Sequence, residues 1–231
     1  MGSDKKKIVV FTGAGISAES GLATYRDSDG LWNQLPVESL ATKQAFEHNP
    51  ELVLAFYNDR IEKANNAEPN AAHKAIADLE QGYDVTVITQ NVDDLHERAG
   101  SSKVIHLHGQ INLAQSSVDP TLVYPWYGKP ILMGQCCEQN SQLRPHIVLF
   151  GEQVLHLDEA RRLIRSADKV LAVGSSLTVQ PAARLLNKAR FHAEKILISK
   201  EIKKKPFGYV FLRGNASELV PSVCADWLGK N

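Results

Sequence analysis

The chain has no excess of charge of either sign and no long apolar run. Lysine and arginine together number 26, and so do aspartate and glutamate, so the formal net charge is zero. Without a positive field, we expect neither nucleic acid nor an anionic membrane surface as a partner. No apolar run approaches the roughly 20 residues that a membrane span requires, and the N-terminus carries no apolar signal region.

Cysteine is also scarce. The three cysteines are Cys136, Cys137 and Cys224, an odd number of which two are adjacent. This pattern excludes a disulfide framework and predicts a reducing, cytoplasmic location. The length of 231 residues suits one sizeable domain with room for a small insertion.

Short apolar runs separated by helical patterns predict an α/β fold. Most of the runs are continuous rather than alternating, which is typical of parallel strands buried on both faces. We therefore expect a doubly wound parallel sheet. The predicted strands cover 8–11, 85–88, 104–105, 147–150, 170–173, 196–198 and 209–212, and helices are predicted over 70–81, 157–165, 181–193 and 217–228.

Two stretches interrupt this alternation. Residues 33–68 contain a helix whose start is marked by Asn49 as the cap and Pro50 at the first helical position, but no strand. Residues 112–142 are rich in turn residues. We interpret both stretches as insertions that together form a small second lobe.

A glycine-rich motif follows the first predicted strand. Gly13, Gly15 and Ala18 match the pattern G-x-G-x-x-A. Such glycines let the backbone approach a phosphate, with the N–H groups of a following helix directed at it. A long polar loop over 21–32 then replaces the second strand of a dehydrogenase. A glycine turn that serves only the fold is the alternative.

Polar residues follow several of the strands, and in a parallel sheet they meet at one edge. Gln90, Asn91 and Asp93 offer groups suited to ribose hydroxyls and a carboxamide. His108 is a candidate general base. His106 shares its face, and spacing alone does not choose between the two. Asp93 as a helix cap is an open alternative.

These residues closely resemble the sirtuins, which are NAD-dependent protein-lysine deacylases. The matching blocks are 13–17, 24–26, 89–93, 107–109, 143–152 and 174–176, and they span nearly the whole chain. The resemblance implies a single catalytic domain over 1–231, built as a Rossmann-like NAD domain with a small inserted lobe. Two rival predictions are a mono-ADP-ribosyltransferase and a catalytically inactive NAD sensor.

The resemblance also implies a role for each matched position. His108 and Asn91 would be catalytic: the acyl-lysine oxygen attacks C1′ of the ribose as nicotinamide leaves, and His108 deprotonates a ribose hydroxyl. The products would be free lysine, nicotinamide and O-acyl-ADP-ribose. Val148 would pair with the substrate peptide as an added strand. The implied NAD-binding residues are Gly13, Ala14, Gly15, Ser17, Ala18, Tyr25, Arg26, Gln90, Asn91, Asp93, Gly174, Ser175, Ser176, Ser199 and Ala216.

Three departures from the family pattern affect these expectations. Tyr25 stands where phenylalanine is usual, and Ser199 where an asparagine is usual. A structural zinc on two cysteine pairs is typical of sirtuins, but here only Cys136 and Cys137 lie in the matching insertion. Because a tetrahedral zinc site needs four ligands, we predict that no metal is bound.

The helix that begins near Asn49 suggests the acyl preference. Tyr57 and Arg60 are three residues apart and so share one face. With Ala41, they resemble the sirtuin branch that removes succinyl and malonyl groups. Ala41 would leave room for a longer acyl chain, and Arg60 and Tyr57 would bind its carboxylate. The alternative is a packed aromatic beside an arginine that pairs with a surface acid.

Overall fold

The computed structural model describes residues 5–24 and 36–230. The predictions for Tyr25 and Arg26 lie outside the described residues. The strands are β1 (Lys7–Thr12), β2 (Asp84–Thr89), β3 (Val104–His106), β4 (Gly109–Ser116), β5 (Val123–Pro125), β6 (Leu143–Ile147), β7 (Lys169–Val173), β8 (Glu194–Ser199) and β9 (Val210–Arg213). The α-helices are α1 (Val37–Leu40), α2 (Lys43–His48), α3 (Pro50–Asn66), α4 (Ala71–Asp78), α5 (Leu95–Arg98), α6 (Leu157–Ser166) and α7 (Ala216–Leu228).

Six of the strands form one parallel sheet in the order β3-β2-β1-β7-β8-β9. When only these six strands are numbered in chain order, their arrangement is that of a doubly wound nucleotide-binding fold. The direction in which successive strands are added reverses between β1 and β7. The predicted fold class is therefore confirmed. Ligands bind at such reversal points, beyond the carboxyl ends of the strands.

The apolar runs are continuous because both faces of the sheet are covered. Along β1, Ile8 and Val10 pack on one face, in a cluster that includes residues of α4 and α7. Val9 and Phe11 pack on the other, against residues of α6 and of the 3₁₀ helix Ala182–Lys188. Alternate residues of the strand thus fill two separate cores.

Capping residues mark the helix starts as predicted. The Asn49 side chain accepts a hydrogen bond from the Leu52 N–H at the start of α3, and Asn70 accepts one from the Ala72 N–H at the start of α4. The predicted helix over 181–193 is wrong, since a 3₁₀ helix occupies Ala182–Lys188. Residues three apart eclipse in a 3₁₀ helix, and its buried residues Ala182 and Leu185 both pack in the core on this face of the sheet.

A second, antiparallel sheet has the order β5-β4-β6. The prediction of a parallel strand at 147–150 is wrong: Ile147 ends β6 in this small sheet. Its apolar side chains are buried against α2 and α3, in a cluster that includes Phe46, Tyr57 and Ile147. An apolar run shows that a segment is buried but not which sheet it joins. The limits of the small lobe, 33–68 and 112–142, stay a prediction.

Candidate active site

Two glycine loops meet backbone to backbone where the strand order reverses. The Gly13 N–H donates to the Val173 carbonyl (3.0 Å) and the Gly15 N–H to the Gly174 carbonyl (2.8 Å). A Cβ added to Gly15 would lie 2.8 Å from the Gly174 Cα. Gly174 has a φ of +63°, and its added Cβ would lie 2.2 Å from the Ile16 nitrogen. Only glycine permits this close approach.

The element after the first loop differs from the expectation of a helix. Two 3₁₀ turns follow, Ala14–Ile16 and Ala18–Ser20. They are too short to supply the dipole of a full helix. This loop therefore offers no helix terminus to a phosphate. The N–H groups of Gly13, Gly15, Ile16 and Ser17 donate to backbone carbonyls of the protein.

The loops border a cavity of ≈ 240 Å³ at the carboxyl edge of the parallel sheet. It brings together residues that are far apart in the sequence and come from both sheets. Of the predicted site residues, those that line it are Gly13, Ala14, Gly15, Ala41, Tyr57, Gln90, Asn91, His108, Val148, Gly174, Ser175 and Ser176.

A smaller pocket of ≈ 20 Å³ adjoins this cavity, and both are lined by Ala14, Asn91 and Val92. Ser17, Arg60 and Asp93 line the smaller pocket.

Of the predicted NAD-binding residues within 5–24 and 36–230, those that line neither pocket are Ala18, Ser199 and Ala216. The Ser199 hydroxyl donates to the Glu201 carbonyl (2.9 Å). Ala216 is the first residue of α7 and packs in the core.

The structure separates His108 from His106. His108 lines the cavity, and its Nδ1–H donates to the Gln90 carbonyl (3.0 Å). His106 is buried, and its two ring nitrogens donate to the Asn91 carbonyl (3.0 Å) and to Glu97 Oε1 (2.7 Å). Burial alone would lower the pKa of His106, but its hydrogen bond to the Glu97 carboxylate contributes to a net rise. His106 is thus a buried residue whose two ring nitrogens are both hydrogen-bonded within the protein, and His108 is the histidine at the cavity.

Asn91 is fixed through its backbone and its side chain. Its N–H donates to the Thr89 hydroxyl (3.0 Å), which accepts a second hydrogen bond from Thr12 (2.8 Å). Its Nδ2 donates to the Ser17 hydroxyl (3.1 Å). Thr12 and Thr89, to which the sequence pattern assigned no role, are each the polar last residue of a buried strand.

Asp93 is held below the cavity by two hydrogen bonds. It accepts one from the Ser17 hydroxyl (3.2 Å) and one from the Leu95 N–H (3.3 Å) at the first residue of α5, although the N-cap position of that helix is Asp94. Burial raises the pKa of Asp93 to about 6. The carboxyl group therefore titrates close to neutral pH.

The cysteine-bearing turns of the small sheet do not present a zinc-ligand set. Cys136 is exposed, whereas Cys137 is buried and its Sγ lies 3.1 Å from the Ser141 hydroxyl. The Ser141 hydroxyl also bonds the Ser116 hydroxyl (2.8 Å). One thiol and two hydroxyls do not match the cysteine and histidine ligands of structural zinc. Within 5–24 and 36–230, no group of three or more potential metal-ligating side chains occurs.

Comparisons with known proteins match this architecture. A model of the Sir2 family matches residues 13–181. An NAD-dependent protein deacylase of Helicobacter pylori is 50% identical over 184 residues, which cover 80% of each chain. The solved complex of a Sir2 homologue with NAD has a TM-score of 0.86 at 40% identity, covering 98% of this chain and 91% of that one. Sir2Tm bound to a propionylated peptide has a TM-score of 0.79 at 30% identity, covering 99% and 95%.

Proposed function

This chain belongs to the Sir2 family and is an NAD-dependent protein deacylase, and on that premise we propose that it removes succinyl and malonyl groups as well as acetyl groups from lysine. The observation that carries the proposal is that Ala41, Tyr57 and Arg60 line two adjoining pockets. Ala41 and Tyr57 line the large cavity, and Arg60 lines the pocket that adjoins it.

We propose that NAD lies across the cavity with its pyrophosphate on the two glycine loops. Because Gly13, Gly15 and Gly174 lack a Cβ, the two loops pack closely, and their backbone borders the cavity. Gln90, Asn91 and Asp93 supply groups that suit the nicotinamide ribose and carboxamide. When bound, NAD supplies the electrophilic ribose carbon that receives the acyl oxygen.

In this proposal His108 accepts the proton of a ribose hydroxyl. Its Nδ1–H is engaged with the Gln90 carbonyl, so the neutral ring carries its lone pair on Nε2. This arrangement is that of a general base oriented by a second group. The substrate is an acylated lysine in a protein or peptide, which pairs with the extended segment at Val148.

The acyl preference follows from the size and charge of the pocket. Ala41 is buried with 3% exposure, and its methyl group occupies little of the cavity wall. Arg60 is 7% exposed and donates to the Ala23 carbonyl (3.3 Å). A guanidinium can bind a carboxylate through two parallel hydrogen bonds, and a tyrosine hydroxyl adds a further donor. A succinyl or malonyl tail presents such a carboxylate, whereas an acetyl group does not.

The test compares kcat/KM for succinyl-lysine and acetyl-lysine peptides of one sequence. A hydrogen bond to a charged group contributes about 1.5–3 kcal/mol, so Arg60→Met should reduce desuccinylation at least about tenfold and spare deacetylation. Tyr57→Phe should act in the same direction. Lys63→Met is the matched control, since Lys63 lies on α3 with its side chain 54% exposed. Equal losses of kcat/KM on both peptides would show that Arg60 has only a structural role.

The cytoplasmic location stays a prediction. The three cysteines are unpaired thiols, which fits a reducing compartment. None of the described helices is long and apolar enough to cross a membrane.

A further inference from the structure

The outer edge of the small sheet carries a polar cluster that the chemistry described above does not use. Strand β6 is an edge strand, and after Ile147 the chain continues through Val148, Leu149 and Phe150 along the cavity. The Val148 N–H donates to the His108 carbonyl (2.9 Å). Because consecutive residues of an extended chain direct their backbone groups to opposite sides, Leu149 faces away from His108.

A buried ion pair occupies that outer side. Arg144 Nη1 donates to the Ile147 carbonyl (2.9 Å) and Nη2 to Glu152 Oε1 (2.5 Å). The second carboxylate oxygen, Oε2, accepts the Leu149 N–H (2.9 Å), and the Glu152 N–H donates to the Leu149 carbonyl (3.0 Å). We call Arg144, Ile147, Leu149 and Glu152 the edge bracket. Its two side chains close a ring of hydrogen bonds around the end of an edge strand.

The bracket is rigid because its charges are withdrawn from water. The Arg144 side chain is 7% exposed and that of Glu152 is 22% exposed. Both oxygens of Glu152 are engaged. Removing either partner would leave a largely buried charge without its counterion, so the pair resists rearrangement.

The bracketed segment is also bonded to two parts of the candidate site. Val148 is tied to His108, as given above, and the Phe150 N–H donates to the carbonyl of Ala41 (2.8 Å), whose side chain forms part of the acyl-pocket wall. Glu152 itself lines the cavity. The Arg144–Glu152 pair thus holds the segment 148–150, which is bonded to His108 and to Ala41.

We infer that Arg144 and Glu152 are positioning residues that set the conformation and register of the bound acyl-peptide. The bracket keeps 148–150 extended for pairing. It also occupies the Ile147 carbonyl and both the N–H and the carbonyl of Leu149, so the peptide pairs only with the remaining backbone groups of the edge. The inference rests on the proposed strand addition at Val148.

The test measures steady-state kinetics, ADP-ribose affinity by calorimetry, and melting temperature for wild type and three variants. Glu152→Gln keeps an oxygen for the Leu149 N–H but removes the charge that Arg144 needs, and Arg144→Met removes the other partner. We expect KM for the acyl-peptide to rise at least about tenfold, while kcat and the ADP-ribose Kd stay close to wild type. Asp158→Asn is the control, because it breaks the exposed ion pair with Arg161.

Two results would overturn the inference. KM for the peptide could stay unchanged in Glu152→Gln, or the ADP-ribose Kd could rise by the same factor, which would show a general structural role. If Arg144→Met does not fold, Glu152→Gln decides alone.

A separate arm uses wild type and a peptide whose backbone amides next to the acyl-lysine are N-methylated. Strand addition predicts that methylation raises KM in wild type and has a smaller effect in Glu152→Gln. A wild-type enzyme insensitive to methylation would refute the strand addition, and the inference with it. If methylation raises KM in wild type but Glu152→Gln has the same KM as wild type for the unmethylated peptide, strand addition stands and only the positioning role of the edge bracket is refuted.

Discussion

The Nδ1–H of His108 donates to the carbonyl of Gln90 at 3.0 Å. This hydrogen bond joins the short link between β3 and β4 to the loop after β2, and it fixes the tautomer of the neutral ring. The lone pair is then on Nε2, and in the proposed mechanism this nitrogen accepts the proton of the ribose hydroxyl.

Replacing His108 with alanine should abolish most of the deacylation without loss of cofactor binding. A general base contributes roughly 10²–10⁴-fold to the rate, so kcat for His108→Ala should fall by about that factor. The ADP-ribose Kd, measured by calorimetry, should stay close to wild type. His156→Ala, at an exposed histidine, should leave both unchanged. A kcat in His108→Ala equal to that of wild type would refute the assignment of His108 as the general base.

Adding a methyl group at Gly15 should weaken cofactor binding. Its Cβ would lie 2.8 Å from both the Cα and the carbonyl oxygen of Gly174, so the two loops must move apart. We expect Gly15→Ala to raise the ADP-ribose Kd at least about tenfold, which is about 1.4 kcal/mol. At Gly82 the added Cβ meets only a flexible leucine side chain at 3.2 Å, so Gly82→Ala should bind ADP-ribose like wild type.

The small lobe should not depend on zinc. We expect far less than one zinc per chain in the purified, untagged protein, and no change in melting temperature with a chelator. The Ser116–Ser141 hydrogen bond should carry part of the stability instead: Ser116→Ala should lose about 1 kcal/mol in chemical denaturation, and Ser117→Ala should not. One zinc per chain, lost together with folding on Cys136→Ser, would refute this prediction.

His73 should make the protein less stable in acid. Burial lowers the pKa of His73 from 6.5 to about 4. Between these two values the unfolded chain binds more protons than the native state, so this contribution to stability falls as the pH decreases from 6.5 to 4. Asp93, whose pKa is raised to about 6, contributes in the opposite direction over most of that range.

A comparison of denaturation at pH 7 and pH 5 isolates the histidine. Linkage predicts that wild type loses about 2 kcal/mol more than His73→Asn between these pH values, since asparagine keeps an acceptor for the Asn70 N–H but does not titrate. His48→Asn is the control, because His48 is exposed. An identical pH dependence in wild type and His73→Asn would show that His73 is not the group responsible.

Local chemistry determined much of what the sequence could predict. Asn49 and Asn70 cap their helices because a side-chain oxygen meets the free N–H groups two or three residues on. Continuous apolar runs predicted the buried parallel strands, since residues covered on both faces need no polar alternation. The motif blocks also identified the family, because their spacing preserves the order of the strand ends.

Tertiary structure decided the rest, because an apolar run shows that a segment is buried but not which other segment it packs against. The run at 147–150 is as apolar as β7, yet it joins the small sheet through the core around Tyr57. His106 and His108 share one face of the predicted strand, but only the fold brings Glu97 to one and the cavity to the other. The need for glycine in these loops is explained only by the fold, since the contact between Gly15 and Gly174 joins residues far apart in the chain.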